Sequence, residues 1–198
     1  MNALLLVDLQ YDFCPGGALA VAHGDETIAV ANREIAKFDT VVATQDWHPR
    51  DHGSFAANNP GKKPYELGEL AGLPQVMWPV HCVQGTRGAE LHAGLDHAKI
   101  AHVSRKGTDA AIDSYSGFFD NGKKKTTDLA AWLKGRGITE LTVLGLATDY
   151  CVKFTALDAR ELGFAVTLVA DGCRAVNLGP DDGAKAIADM RAAGVVVR

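Results

Sequence analysis

The sequence lacks any CxxC pair: its four cysteines, Cys14, Cys82, Cys151 and Cys173, stand far apart. At 198 residues the chain is long enough to fold around a hydrophobic core without covalent staples. The cysteines therefore read as reduced thiols of a reducing compartment, and the cytoplasm is the expected location. An excess of basic charge is also missing. Lys and Arg number 20 against 24 Asp and Glu, a net charge of −4. That balance gives no electrostatic footprint for nucleic acid or an anionic membrane. No apolar run reaches membrane length. The first one, Ala3–Val7, has no basic residue ahead of it and meets Asp8 at once, so neither a signal peptide nor a membrane span is expected. GxGxxG and P-loop patterns are absent, which leaves nucleotide binding of those kinds unsupported. With no repeat, low-complexity tract or linker, one domain over 1–198 is expected.

What is present is alternation. Continuous apolar runs of strand length fall at Ala3–Val7, Thr40–Thr44, Ile100–Val103, Leu141–Leu146, Ala165–Val169 and Val195–Val197. Continuous runs suit strands covered on both faces, as in a parallel sheet. Helical spacing lies between them. Asp25 stands as a cap before Ile28, Ala31, Ile35 and Phe38; Thr127 precedes Leu129, Trp132 and Leu133. Asp149 opens a helix through Val152, Ala156 and Ala159 that Gly163 stops. Pro180-Asp181-Asp182 starts a last helix that turns Ile187 and Met190 inward. Strand–helix alternation predicts an α/β sandwich with right-handed crossovers. Residues 53–85 break this rhythm with Gly, Pro and polar residues around Trp78, His81 and Cys82, which predicts an irregular active-site flap.

In open parallel sheets ligands bind beyond the carboxyl ends of the strands. The polar residues expected there are Asp8, Asp46, His48, Lys106, Thr148, Asp149, Cys151, Asp171 and Cys173. Cys151, just after a strand and near a helix start, is the candidate nucleophile. The helix dipole and the Lys106 ammonium are expected to favour its thiolate. Asp8 is placed to take the thiol proton and return it to a leaving amine. A lone cysteine is more often a small buried apolar residue, and a lone lysine a solvated one. The three gain weight only by sharing one end of the sheet. Asp46 and His48 point the same way in an extended chain and offer an oxygen and a nitrogen to one metal, with His81 as third ligand. That set suits one divalent transition metal, Zn, Fe or Mn. His23, His52, His92, His97 and His102 read as surface or loop residues, with His52 as the runner-up ligand. Phe13, Trp47 and Trp78 are core residues or pocket walls.

These motifs resemble bacterial nicotinamidases of the isochorismatase-like cysteine hydrolase superfamily. The resemblance runs through LLLVDLQYDFCPGGALAV, TQDWHPRDHGSF, WPVHCVQGTRGAELH, RKGTDAAIDSYSGF and VLGLATDYCVKFTALDA, five segments in order over nearly the whole chain. It implies a three-layer α/β/α fold with a six-stranded, mostly parallel sheet ordered 3-2-1-4-5-6. It implies an Asp8–Lys106–Cys151 triad and metal ligands Asp46, His48 and His81, with Ser54 as a further ligand, direct or through water. Phe13 and Trp78 match the aromatics that sandwich a pyridine ring, and Tyr115 a pocket tyrosine. Leu146-Ala147 matches a cis peptide that lines the substrate site and, with the Cys151 N–H, forms an oxyanion hole at Ala147.

The implied activity is hydrolysis of nicotinamide, and of the related pyrazinamide, through a cysteine thioester in NAD salvage. The implied partner is a small molecule, without nucleic acid or membrane, for a monomer or homo-oligomer. Two other readings stand beside it. One is a metal-independent carbamoyl or ureido amidohydrolase of the same superfamily, which lacks the metal trio. The other is a non-catalytic metal or thiol redox sensor, which leaves Asp8 and the paired aromatics without a role.

Overall fold

The structure, a computed structural model, describes residues 1–198. Strand β1 is Asn2–Val7, helix α1 Glu26–Ile35 and β2 Val41–Asp46. A hairpin, β3 Leu67–Leu70 and β4 Leu73–Val76, precedes β5 Ile100–Lys106. Then come α2 Leu129–Gly135, β6 Glu140–Leu146, α3 Lys153–Glu161, β7 Ala165–Arg174, α4 Asp182–Ala192 and β8 Val196–Val197. Six strands form one sheet in the order β5-β2-β1-β6-β7-β8, every pair parallel. With the hairpin strands left out, this is the 3-2-1-4-5-6 order implied by the resemblance.

The apolar runs form strands because water is excluded from both of their faces. Leu4, Leu5 and Leu6 are consecutive and all fully buried, and β2 is buried throughout. Burying each such side chain stabilises the fold by about 1.5–3 kcal/mol. Helix α1 buries Ile28, Ala31 and Ile35 on one face as expected, although the Asp25 side chain makes no cap bond. In α4 the buried residues are Gly183, Ala186 and Met190, with Ile187 only half-buried. No helix is long and apolar enough to cross a membrane.

Two local features set the rim where chemistry is expected. Gly145 adopts φ +139°, and a Cβ there would strike the Val7 backbone, so glycine alone lets β6 close on β1 one residue below Asp8. On the other side of β1, the β2–β5 ladder is out of step once: Val41 opposes Ile100 and Val42 opposes His102, leaving Ala101 unopposed.

Residues 53–85 are more regular than the sequence predicts. The hairpin turns at Ala71-Gly72, both with positive φ (55° and 78°), the geometry of a two-residue hairpin turn. Its four-residue strands, interrupted by Gly68 and Pro74, leave too little alternation to read as strands. Asp171 and Cys173 lie within β7 rather than beyond it. Asp171 pairs with Arg33 at the surface, away from the rim.

Candidate active site

The carboxyl ends of β1, β2, β5 and β6 bring the predicted residues together. Asp8 follows β1 with φ 49°, a left-handed turn that aspartate tolerates. Its Oδ1 accepts a bond from Thr44 Oγ1 (2.6 Å), and Thr44 Oγ1 accepts the Asp8 N–H (3.2 Å). Lys106 is the last residue of β5, opposite Asp46 in the ladder. Its Nζ lies 2.6 Å from Asp46 Oδ1, 2.9 Å from Asp8 Oδ2, 3.0 Å from Ser114 O and 3.4 Å from Cys151 Sγ. The four-carbon stem crosses β2 from within the strand. The Asp8 Oδ2–Lys106 contact is an ion pair without hydrogen-bond alignment, so Oδ2 keeps acceptor capacity for the thiol proton.

Cys151 sits in a single π-turn, Thr148–Val152, that feeds α3. The structure reverses one expectation here. Burial pushes the Cys151 thiol well above its ordinary value, and the neighbouring Lys106 ammonium does not offset it. Burial likewise raises Asp8, despite the Lys106 charge. Lys106 itself is held well above its usual range, since Asp46 and Asp8 outweigh its desolvation. Sulfur at rest is therefore favoured as the thiol and Lys106 as the ammonium, with Asp8 Oδ2 beside them. A proton can pass from sulfur to Asp8 while Lys106 faces the negative charge before and after the transfer. Desolvation of the sulfur thus opposes the thiolate that Lys106 favours.

Asp46 carries a second set of contacts on its other oxygen. His48 Nε2 and His81 Nε2 lie 3.4 and 3.8 Å from Asp46 Oδ2. His48 Nδ1 donates to Gly107 O (2.8 Å) and His81 Nδ1 to Pro79 O (2.7 Å). A carbonyl oxygen only accepts, so each Nδ1 carries a proton and each Nε2 is the atom turned toward the carboxylate. The donor atoms of Asp46, His48 and His81 lie within 4.8 Å of one another and are buried. Two imidazoles and a carboxylate with anchored outer nitrogens fit a divalent transition metal. Burial alone raises Asp46, but Lys106 and His48 hold its carboxyl well below the usual range, so it stands as an ionised oxygen donor.

Beside the metal trio, His52 departs from its expected surface position. It is fully buried, its ring 4.3 Å from that of His48, and its Nδ1 meets Ser54 Oγ at 2.8 Å. Burial, aided by His48, pushes it down to about 4, so it is neutral. Ser54 is fully buried too, with its hydroxyl committed to His52.

A cavity between these groups is lined by Phe13, Leu19, Asp46, His48, Trp78, His81, Asp113, Tyr115, Ala147, Tyr150, Cys151 and Val176. Phe13, Trp78, Tyr115 and Ala147 thus stand where the sequence puts pocket walls. Leu146 does not: its side chain is buried in the core against Gly24, and only its peptide reaches the site. The Leu146-Ala147 peptide is cis, as the resemblance implies, and the Ala147 N–H has no protein acceptor. Asp149 does not cap its own helix. Its carboxylate accepts the N–H groups of Val176 and Asn177 (2.9 and 2.8 Å) and ties that pocket wall to the nucleophile turn.

Sequence reasoning missed Thr44, Gln10, Gly107 and Asp113. The Gln10 side chain accepts the Asp46 N–H and donates to Asp46 O, both at 2.8 Å, fixing the end of β2. Gly107, with φ +64°, leaves space that a Cβ would take from the His48 ring. A polar residue just past a strand end is the signal that could have found Gln10. Thr44, Gly107 and Asp113 carry none.

The isochorismatase domain family model matches residues 2–198. A nicotinamidase of Escherichia coli (strain K12) is 55% identical over 200 residues, covering 99% of this chain and 93% of that protein. The solved nicotinamidase/pyrazinamidase of Acinetobacter baumannii superposes with a TM-score of 0.96 at 46% identity, over 99% of this chain and 94% of that one. The pyrazinamidase of Pyrococcus horikoshii in complex with zinc matches with a TM-score of 0.81 at 38% identity, over 100% and 98%. The match spans the rim residues as well as the sheet that carries them, and the chain belongs to the isochorismatase domain family.

Proposed function

We infer that this chain is a nicotinamidase, an amidohydrolase converting nicotinamide to nicotinate and ammonia, with pyrazinamide as a second substrate. One observation carries the reading. Cys151, Asp8 and Lys106 meet at Asp46, whose other oxygen faces two imidazoles, in a chain 55% identical to a nicotinamidase over nearly its full length. The ring binds between Phe13 and Trp78. Asp46, His48 and His81 hold a divalent transition metal (zinc, iron or manganese), with Ser54 as a further ligand, direct or through water. When bound, the metal supplies a Lewis-acid anchor for the ring nitrogen.

Asp8 takes the Cys151 thiol proton, and Lys106 stabilises the thiolate, which attacks the carboxamide carbon. The Ala147 and Cys151 N–H groups receive the developing oxyanion; one such donor is worth ~10²-fold in rate. The Asp8 proton then passes to the amide nitrogen, the C–N bond breaks, and ammonia leaves a thioester on Cys151. Asp8, again a carboxylate, takes a proton from water as water adds to the thioester. The tetrahedral adduct releases nicotinate, and the sulfur recovers its proton. A thiol raised by burial oxidises poorly, which weighs against a redox sensor. The fitted metal trio weighs against a metal-independent carbamoyl hydrolase. Four unpaired cysteines suit a reducing cytoplasm.

Ammonia release from nicotinamide tests the reading. Wild-type protein releases it and Cys151→Ala does not, at an unchanged thermal midpoint. Near-normal turnover by Cys151→Ala refutes the nucleophile assignment.

A further inference from the structure

Resting on the reading of Cys151 as nucleophile, we propose that Asp149 is a positioning residue for the oxyanion hole: its grip on the 176–177 backbone holds the nucleophile turn in a π winding that spares the Cys151 N–H for substrate. In an α-helical turn each N–H bonds the carbonyl four residues back, so Cys151 would donate to Ala147 O. The structure gives that oxygen to other donors. Ala147 O accepts from Tyr150 and Val152, both at 3.1 Å, and Thr148 O accepts the Lys153 N–H. The bonds from Val152 and Lys153 reach five residues back and pass over Cys151. One extra residue is thus wound into Thr148–Val152, a rare geometry that concentrates at functional sites.

Asp149 lies inside this turn and holds its phase. Its Oδ1 accepts the Val176 N–H at 2.9 Å and its Oδ2 the Asn177 N–H at 2.8 Å. Two amide bonds on one buried carboxyl group fix its direction as well as its place. Winding the turn back to α would rotate Asp149 by roughly 100° about the axis relative to α3, since about 3.6 residues make one turn. That rotation carries the carboxyl group off both amides. The clamp and the π winding therefore require each other.

The receiving loop is itself anchored. Asn177 Oδ1 accepts the Gly183 N–H (2.9 Å) in the first turn of α4, and a Cβ on Gly183 would come 2.7 Å from that of Ala175. Val176 lines the cavity at Cys151 together with Ala147 and Tyr150, so one side chain keeps the nucleophile turn and a pocket wall in register. Asp149 touches no reacting atom: both of its oxygens are spent on backbone amides, and it does not line the cavity.

Asp149→Asn, which keeps the shape and loses one acceptor, tests the clamp. With no ligand added, exchange of the Val176 and Asn177 amides should speed about tenfold or more, and the carbonyl chemical shifts of residues 147–152, which report the winding, should move. Two ligands then separate the oxyanion hole from the ring site. Pyridine-3-carbaldehyde adds to Cys151: the S–C bond forms, the carbonyl electron pair moves to oxygen, and the thiol proton passes to Asp8, which leaves the oxygen at the Ala147 and Cys151 N–H groups. 3-Methylpyridine has the ring and no oxygen. The variant should lose about tenfold or more in aldehyde affinity and in kcat, while 3-methylpyridine affinity and KM change less than about threefold. Asn177→Ala, which loosens only the receiving loop, should give the same pattern at smaller amplitude, and it decides the matter if Asp149→Asn does not fold. Unmoved shifts in the variants overturn the claim that the clamp holds the winding. Equal weakening of aldehyde and 3-methylpyridine overturns the link to the oxyanion hole and leaves Asp149 shaping the Val176 wall alone. A wild-type chain that leaves nicotinamide intact overturns the substrate assignment instead, and the shift measurement, which uses no ligand, still decides the clamp.

Discussion

Lys106→Met removes a buried ammonium while keeping most of the stem volume. The native charge has no solvent exposure and sits 2.9 Å from Asp8 and 2.6 Å from Asp46. Breaking a buried pair by deleting one partner costs about 3–5 kcal/mol, because the other charge is left uncompensated. Both carboxyls lose their ammonium; Asp46 keeps His48 beside it, whereas Asp8 keeps only the Thr44 hydroxyl, so Asp8 is the group left with less support. That carboxyl has an escape. Burial already raises it, and without the ammonium it climbs further and takes up a proton. The folded variant then binds more protons than its unfolded chain, so its stability falls as pH rises. The difference from wild type opens above the native Asp8 pKa, grows by at most about 1.4 kcal/mol per pH unit, and levels off above the variant's Asp8 pKa. Urea unfolding of both chelator-treated proteins, at about pH 6 and about pH 8, reads this directly. A gap below about 1 kcal/mol at neutral pH, or one that ignores pH, refutes the claim that Lys106 holds Asp8 ionised.

Three further outcomes follow from the same geometry. Thr44→Val deletes the hydroxyl that lowers Asp8, so the acid limb of the kcat/KM profile should move to higher pH and stability should drop about 1–3 kcal/mol; an unmoved limb separates Thr44 from the acid–base step. Gly107→Ala places a methyl 2.6 Å from His48 Nδ1 at φ +64°, and zinc affinity by chelator competition should fall about 10–100-fold; unaltered affinity shows that the Gly107 contact does not orient His48. Saturating zinc, at about 100 times Kd, should add about 2.7 kcal/mol to wild-type stability and much less to His81→Ala; equal gains remove His81 from the ligand set.

The sheet was legible because its central strands are apolar on both faces, and Asp8, Asp46 and Cys151 were legible because each stands where such a run ends. Lys106 lies past the apolar run Ile100–Val103, yet the ladder continues through Ser104 and Arg105 and carries Lys106 as its last residue. His52 was misplaced for a related reason. Pro49 turns the chain after His48, and the turn brings the second imidazole back beside the first, which linear spacing does not show. The hairpin escaped because Gly68 and Pro74 remove its pattern. The sign of the Cys151 shift depends on burial, a property of the assembled site. Thr44 and Asp113 act through contacts 36 and 38 positions away, and nothing local marks them.

The unopposed Ala101 bears on all of this chemistry. Counting forward from the Val41–Ile100 pair without the extra residue would bring Arg105 level with Asp46 and turn Lys106 to the opposite side of the sheet. Arg105 now lies over the Trp47 ring, 4.0 Å from its centre, on the side away from the nucleophile. A single inserted position, five residues upstream, decides which of two adjacent cations enters the reaction chamber. The enzyme's proton chemistry is thereby written into the phase of an edge strand.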